Sequence, residues 1–359
     1  MKNPEFSRRD ILIGSTALAA GAAASPWGAT AVLAAAPPAS PVTPALIEAA
    51  KKEGKVVWYT SLDLPAAEKV ARAFEAKYSG IAVRVERTGA ERVFQRIGQE
   101  YASRIHAVDV VQSSDASHFI VWKRDGILEP YVPEDVAKFY PAEHKDPDGM
   151  FASFRVWLCV MGHNTELVKA ADAPKSFAGL LDPRWKGKLV KAHPGYSGTI
   201  MTSTFQMARD IGWDYFEKLA KQNVMQVQSS ADPPKKLELG ERQVMADGNE
   251  YNMFQLKEAG KPVEIIYPTE GSPLIVGPNG LLKGGPNPNA GRLFQNYCFS
   301  VEGQQSLIDV GGLRSMHPQT KEKPGRKPFG EIKKLKDDPA GVERSAEEIK
   351  ARYTKLFGV

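Results

Sequence analysis

Four short stretches place hydroxyl groups where a strand gives way to a helix: Thr60-Ser61, Ser113-Ser114, Ser197-Gly198-Thr199 and Ser229-Ser230. At such turns the first N–H groups of the helix lack partners and carry a positive partial charge. Each turn is therefore a small cradle for an anion. Ser and Thr are also ordinary helix N-caps, which accounts for any single turn by itself. No catalytic constellation accompanies them. There is no Gly-x-Ser-x-Gly elbow and no phosphate-binding glycine loop. His106, His118, His144, His163, His193 and His317 are scattered, and His163 with Glu166 does not make a metalloprotease pair. Asp146 and Asp148 lack the downstream ligands of a calcium loop and read as a polar loop. Cys159 and Cys298 allow one bridge at most, and neither sits beside a His or a second Cys, so both read as buried free thiols.

The chain that must position these groups has 359 residues, enough for two ordinary domains. It is 42% hydrophobic and 25% charged, which excludes wholesale disorder. A net charge of +5 from 47 basic and 42 acidic residues is too slight and too dispersed for a nucleic-acid footprint. Residues 1–36 read as an address. Ser7-Arg8-Arg9-Asp10-Ile11-Leu12 opens it, a weakly apolar Ala/Gly run follows, and small residues from Ala29 to Ala36 offer cleavage sites. The paired arginines make this resemble a twin-arginine export signal. No later stretch approaches the ~20 apolar residues of a membrane span.

After a Pro/Ala linker (37–44), apolar periodicity alternates between two and 3.6 residues. A helix over Pro44 to Lys52 precedes a strand at Lys55 to Ser61 and a helix at Pro65 to Tyr78. A strand at Ile81 to Glu86, a helix at Glu91 to Arg104, a strand at Val108 to Gln112 and a helix at Ser117 to Asp125 follow. This β-α order predicts a parallel sheet covered on both faces. Phe154 to Met161 is fit for a central strand, and Ser345 to Leu356 reads as a final helix capped by Ser345 with Glu348. Arg92, Arg96 and Lys123 read as solvated helix faces, and Lys321 to Lys336 as a solvated basic tail. In open α/β sheets ligands sit at the carboxyl ends of strands, so the four hydroxyl turns point to a shared cleft.

Several patterns in order resemble one family. They are Val56-Val57-Trp58-Tyr59-Thr60-Ser61; Asp109-Val110-Val111 with Ser113-Ser114; Lys123-Arg124-Asp125-Gly126-Ile127-Leu128; and Ser197-Gly198-Thr199. Leu239-Gly240-Glu241-Arg242-Gln243-Val244, Tyr267-Pro268-Thr269-Glu270-Gly271-Ser272 and Phe299-Ser300-Val301-Glu302-Gly303-Gln304 complete the set. Over residues 45–320 the chain resembles an extracellular solute-binding protein of an ABC importer, in the ferric-ion-binding-protein branch. The resemblance implies an α/β, two-lobed type II periplasmic binding protein fold with crossing hinge strands near Ser153–Val156 and Val276–Leu281. It assigns 45–153 plus 279–330 to lobe 1, 154–278 to lobe 2, and 331–359 to a helical tail packing on lobe 2.

The implied function is capture of a small solute by hinge closure and delivery to an ABC permease in the inner membrane. The protein is then a periplasmic monomer that binds no nucleic acid, carries no cofactor and is not an enzyme. An enzyme on the same fold is the remote alternative. The expected ligand-binding residues are Ser61, Asp63, Ser114, Ser197, Gly198, Thr199, Glu250, Tyr251 and Tyr267, with Tyr196 as a further platform. Ferric members of the branch use two adjacent tyrosines, and here that pair falls on Glu250-Tyr251; the family's His position holds Asp63. Fe³⁺ would leave Asp63, Glu250 and Tyr251 as its oxygen ligands. The leading reading is instead a small polar organic solute, anionic or zwitterionic and phosphonate-like. The two carboxylates favour one that also carries an amine.

Overall fold

The computed structural model describes residues 36–359; the export-signal reading lies outside them. The first lobe begins with α1 (Pro44–Glu53), β1 (Lys55–Thr60), α2 (Leu64–Lys77), β2 (Ala82–Arg87), α3 (Ala90–Ala102) and β3 (Val110–Gln112). It continues through α4 (Ser117–Arg124), β4 (Leu128–Glu129) and α5 (Glu134–Phe139). The chain then crosses on β5 (Ala152–Asn164), buried along its whole length. The second lobe holds β6 (Leu189–Ala192), α6 (Gly198–Asp210), α7 (Trp213–Ala220), β7 (Met225–Val227), α8 (Asp232–Glu238), β8 (Val244–Asn249), α9 (Glu250–Glu258) and β9 (Val263–Ile266). The return is β10 (Ser272–Leu282), followed by α10 (Pro288–Phe299), α11 (Val301–Gly311), β11 (Lys334–Leu335) and α12 (Pro339–Phe357).

The strand order is β2-β1-β3-β10-β5-β8-β6-β7. The expected parallel pairing holds within each lobe, where β1 lies parallel to β2 and β3, and β6 parallel to β7 and β8. The two crossing strands break it. β10 runs antiparallel to β3 and β5, and β5 antiparallel to β8 and β9. A strand that leaves a lobe and one that returns must point in opposite directions, which local periodicity cannot reveal. Lobe 1 packs around Trp58, Phe74, Phe154, Phe294 and Phe299, and lobe 2 around Phe177, Trp185, Leu189, Phe216 and Tyr353. Cys159 and Cys298 are both buried and unbridged.

Local chemistry fixes the element ends. Asp63 precedes Pro65, and its carboxylate accepts from the Ala66 N–H at 3.4 Å, which starts α2. Ser300 caps α11 by accepting from the Gly303 N–H at 3.1 Å. Gln304 then donates to the carbonyls of Phe154 (2.8 Å) and Cys298 (2.7 Å), tying this helix to β5. The last helix starts six residues earlier than Ser345. Asp338 is its cap, accepting from the Gly341 N–H at 2.9 Å.

Two further expectations are corrected. Lys123 is no solvated lysine: it is 5% exposed and clamped between Asp146 (2.7 Å) and Asp148 (2.6 Å). The basic tail is not wholly solvent-facing either, because Arg326 turns inward to Glu250 at 2.9 Å. Arg314 reaches the same carboxylate with two nitrogens, at 2.7 and 3.0 Å, while its backbone pairs with Val156 of β5. Tyr267 donates a fourth hydrogen bond to Glu250 at 2.6 Å. Glu250 is fully buried, so this cluster pins α9 and the tail to the crossing strand.

Replacing Glu250 with Gln should cost about 3–5 kcal/mol, because buried Arg326 loses its charge partner and buried Arg314 keeps only Glu322. Burial alone would raise the Glu250 carboxyl, but hydrogen bonds and charge from Arg314 and Arg326 reverse this and hold it below its ordinary 4.5. A depressed carboxyl contributes stability that is complete above its unfolded value and lost as pH falls through the folded one. Thermal melts taken downward from neutral pH should show the parent losing stability below about pH 4.5. The Glu250→Gln variant, already weaker, should lose less over that window.

Candidate functional site

The carboxyl ends of β1, β2 and β3 face the turn before α6 and the β7–α8 turn across a cleft of about 230 Å³. Lobe 1 supplies Ser61, Arg87, Gly89, Ala90, Arg92 and Ser114; lobe 2 supplies Tyr196, Ser197, Thr199, Ser229, Ser230 and Asp232. Arg155 from β5, with Asn249 and Tyr251 at the start of α9, completes the lining. The two sides touch. An added Cβ on Gly198 would lie 2.6 Å from the Cβ of Asp115, and one on Gly89 would lie 3.0 Å from the Tyr196 carbonyl. Arg92 also donates to Gln228 of the other lobe at 3.1 Å. This is a closed arrangement, and Arg92, exposed on its helix as read, also lines the cleft. Arg96 does stay on the helix surface, paired with Glu86 and Glu100.

Of the nine residues read from the sequence, five line the cleft: Ser61, Ser114, Ser197, Thr199 and Tyr251. Ser61 accepts from the Ser114 N–H at 2.7 Å, which fastens the β1 and β3 turns to each other. Ser197 caps α6, accepting from the Ile200 N–H at 3.4 Å, and also lines the cleft. Gly198 lies at the contact between lobes instead of in the lining. Asp63 serves as the α2 cap and is not part of the lining. Tyr267 donates to Glu250, which also pairs with the arginines beneath, and both lie outside the cleft. The oxygen set proposed for Fe³⁺ therefore does not converge: Glu250 is committed to Arg314 and Arg326. Among the described residues no group of three or more His, Cys, Asp or Glu side chains is placed to hold a metal ion.

Pattern reading missed Arg87, Asp232, Asn249 and, deepest among them, Arg155. It is 1% exposed, yet its Nε and Nη1 find no acceptor in the protein. Nη2 donates to Gln112 at 3.3 Å, and the guanidinium stacks over the Trp157 ring at 4.1 Å. Opposite it in the sheet stands Gly277, where a Cβ would press within 3.1 Å of Arg155 and 2.8 Å of Gln112. Burial lowers the proton affinity of Arg155, with Tyr251 and Asp63 partly compensating. Tyr251 is pushed well above a normal phenol, first by burial and then by the charge of Asp63. It thus stays protonated, accepts from Asn249 at 3.1 Å and keeps its own proton to donate. Sequence reading had no signal for Arg155: it sits mid-strand among Phe154, Val156 and Trp157.

Helix ends add to the positive field. α3 begins at Gly89 with no side-chain cap, and Gly89 and Ala90 line the cleft. α6 starts from the other lobe at Ser197. Both point positive ends at the same space. Among the described residues, Asp232 is the one acidic side chain lining it, against three arginines. One of its oxygens accepts from the Ser229 N–H at 3.1 Å.

Comparison with known proteins agrees with this architecture. The chain is 28% identical over 270 residues to a Haemophilus influenzae protein of uncharacterised function, covering 71% of this chain and 76% of that one. It is 28% identical over 161 residues to a Salmonella typhimurium protein provisionally named as a 2-aminoethylphosphonate-binding periplasmic protein, covering 41% and 46% of the two chains. Solved structures share the fold, two of them as follows. The periplasmic binding protein AfuA of Actinobacillus pleuropneumoniae, with fructose-6-phosphate bound, aligns with TM-score 0.78 at 24% identity over 85% of this chain and 99% of that one. Iron-bound HitA of Pseudomonas aeruginosa aligns with TM-score 0.72 at 22% identity over 83% and 99%. The profile of the bacterial extracellular solute-binding proteins matches residues 107–328. The chain belongs to that family and is a periplasmic solute-binding protein of an ABC transporter.

Proposed function

We propose that the solute is a small organophosphorus anion, a phosphonate or a phosphate ester, that also carries an amine. Arg155 carries this reading. A buried guanidinium with unmatched donors costs free energy unless a ligand supplies acceptors, and its planar fork matches the oxygens of a phosphoryl group. Arg87 and Arg92, two helix N-termini and the hydroxyls of Ser61, Ser114, Ser197 and Thr199 surround it. These are donors suited to several anionic oxygens at once. Asp232 can only accept, so it suits the amine. The amine, read from Asp63 and Glu250 in the sequence, is thereby reassigned to a different carboxylate. The ligands named for the Salmonella relative and for AfuA both contain phosphorus and support the same class. Ferric iron has less support here, since the buried phenol Tyr251 lies beside a cationic floor and no cluster of hard ligands joins it among the described residues; the likeness to HitA is one of fold.

The solute passes, on this reading, from a monomeric receptor to a membrane permease without chemical change. Export follows the twin-arginine route set by Arg8 and Arg9, so the protein folds before it crosses. Changing both residues to Lys should leave the precursor in the cytoplasm, as fractionation and immunoblotting would show.

Calorimetry and thermal shift with 2-aminoethylphosphonate and ethylphosphonate test the ligand class. Arg155→Met should abolish both responses while the ligand-free melting temperature holds or rises, because an under-paired buried charge is removed. Retained responses in this variant would sink the proposal. Asp232→Asn should weaken the amino compound about ten- to a hundredfold, the worth of one charge-assisted hydrogen bond. Ethylphosphonate should bind that variant as it binds the parent. Gly198→Ala should fold normally yet lose ligand-induced compaction in X-ray scattering, since its methyl would occupy space Asp115 fills on closure.

A further inference from the structure

The last helix meets the two lobes with different chemistry. Toward lobe 2 it is apolar. Val342 and Ile349 pack with Met201, Phe205 and Trp213, and Tyr353 is buried in the core with Phe216 and Leu219. Gly341 lies so close to the Phe205 ring that a Cβ would come within 2.3 Å. Tyr353 also accepts from Lys191 at 2.7 Å and donates to Gln226 at 2.8 Å, both in lobe 2. Toward lobe 1 the same helix presents charges. Glu343 pairs with Arg124 of α4 at 3.0 Å, and Lys350 pairs with Glu91 of α3 at 3.3 Å. No residue of α4 belongs to the apolar cluster around Val342 and Ile349. All four charged side chains are at least 19% exposed. Glu91 stands two residues after Gly89, in the helix turn that lines the ligand cleft.

The two interfaces differ in how they part. Separating packed apolar side chains exposes area to water at a cost that grows with the area. Separating exposed ion pairs costs little, and salt screens what remains. An element fixed by core packing on one side and by exposed charges on the other stays with the first and lets go of the second.

We propose that α12 is a latch carried on lobe 2, whose Glu343–Arg124 and Lys350–Glu91 pairs form when the lobes close and break when they open. The latch stabilises the closed state from outside the cleft and so sets how much of the intrinsic ligand affinity is realised. It concerns closure and is independent of which solute is bound. It adds contacts with lobe 1 to the expected packing of this tail on lobe 2.

The test is X-ray scattering of the ligand-free protein at about 20 mM and about 500 mM sodium chloride, on either side of the salt at which screening shortens to ~10 Å. The parent should expand between the two conditions. A Glu343→Gln, Lys350→Met double variant should show the expanded radius at both, with an unchanged melting temperature. Identical scattering of parent and variant at low salt would overturn the latch. Hydrogen exchange supplies the second arm. Amides around Val342, Ile349 and Tyr353 should stay protected at high salt while the first turn of α3 gains exchange. Loss of protection along α12 itself would show it leaving lobe 2 and would also overturn the proposal. For 2-aminoethylphosphonate the double variant should bind about three- to tenfold more weakly at low salt and equally at high salt. Should that compound bind neither protein, the ligand reading fails while scattering and exchange still decide the latch.

Discussion

Two long strands pass between the lobes side by side, and their pairing constrains everything built on them. β5 and β10 must each serve a sheet in both lobes, so both are buried nearly throughout and run antiparallel. A strand in that position is expected to be apolar, and β5 is, apart from a few residues such as Arg155. The arginine is tolerated because Gly277 across the ladder leaves room for its stem and because Trp157 lies under its charge. The ladder shifts register between Gly277 and Pro278, immediately beside the guanidinium. Placing an under-paired charge on a strand buried along its whole length is costly for the empty protein. It also fixes the donors before the ligand arrives, which is what preorganised recognition requires.

The closing surfaces obey a second constraint, which is close approach. Gly89 and Gly198 meet the opposite lobe where any side chain would collide. Both stand at helix starts, so the backbone N–H groups of α3 and α6 come near the same space. The absence of side chains thus does two things at once. It lets the lobes shut, and it leaves helix ends bare toward an anion. The charges of α12 add a third layer, outside the cleft and sensitive to salt.

Some of the residues that carried the family resemblance have structural duties. Ser300 and Gln304 cap a helix and hold it to β5. Tyr267 and Glu250 belong to the arginine cluster below the cleft. Glu270 accepts the N–H groups of Phe177 and Ala178 at 3.1 Å. Such residues sit at fixed offsets within a turn or a helix start, so they form recognisable strings. Ligand contacts come one at a time from separate elements and form none. This is why Glu250 and Asp63 are candidates from their positions in a pattern, and why Arg155 is not.

The sequence by itself determined the alternation of strands and helices, the family, and the hydroxyl turns that reach the cleft. Apolar periodicity and capping preferences act over a few residues, and the order of strand-to-helix turns follows from them. Tertiary structure decided which of several carboxylates line the cleft and which are neutralised beneath it. It also decided that Lys123 and Arg326 are buried, and that the last helix spans both lobes. These outcomes depend on what lies across a gap from residues distant in the chain: Arg314 from Glu250, Gly277 from Arg155, Glu91 from Lys350. Desolvation and pairing act through space, so a charge reads the same in sequence whether it meets water, a partner or a ligand.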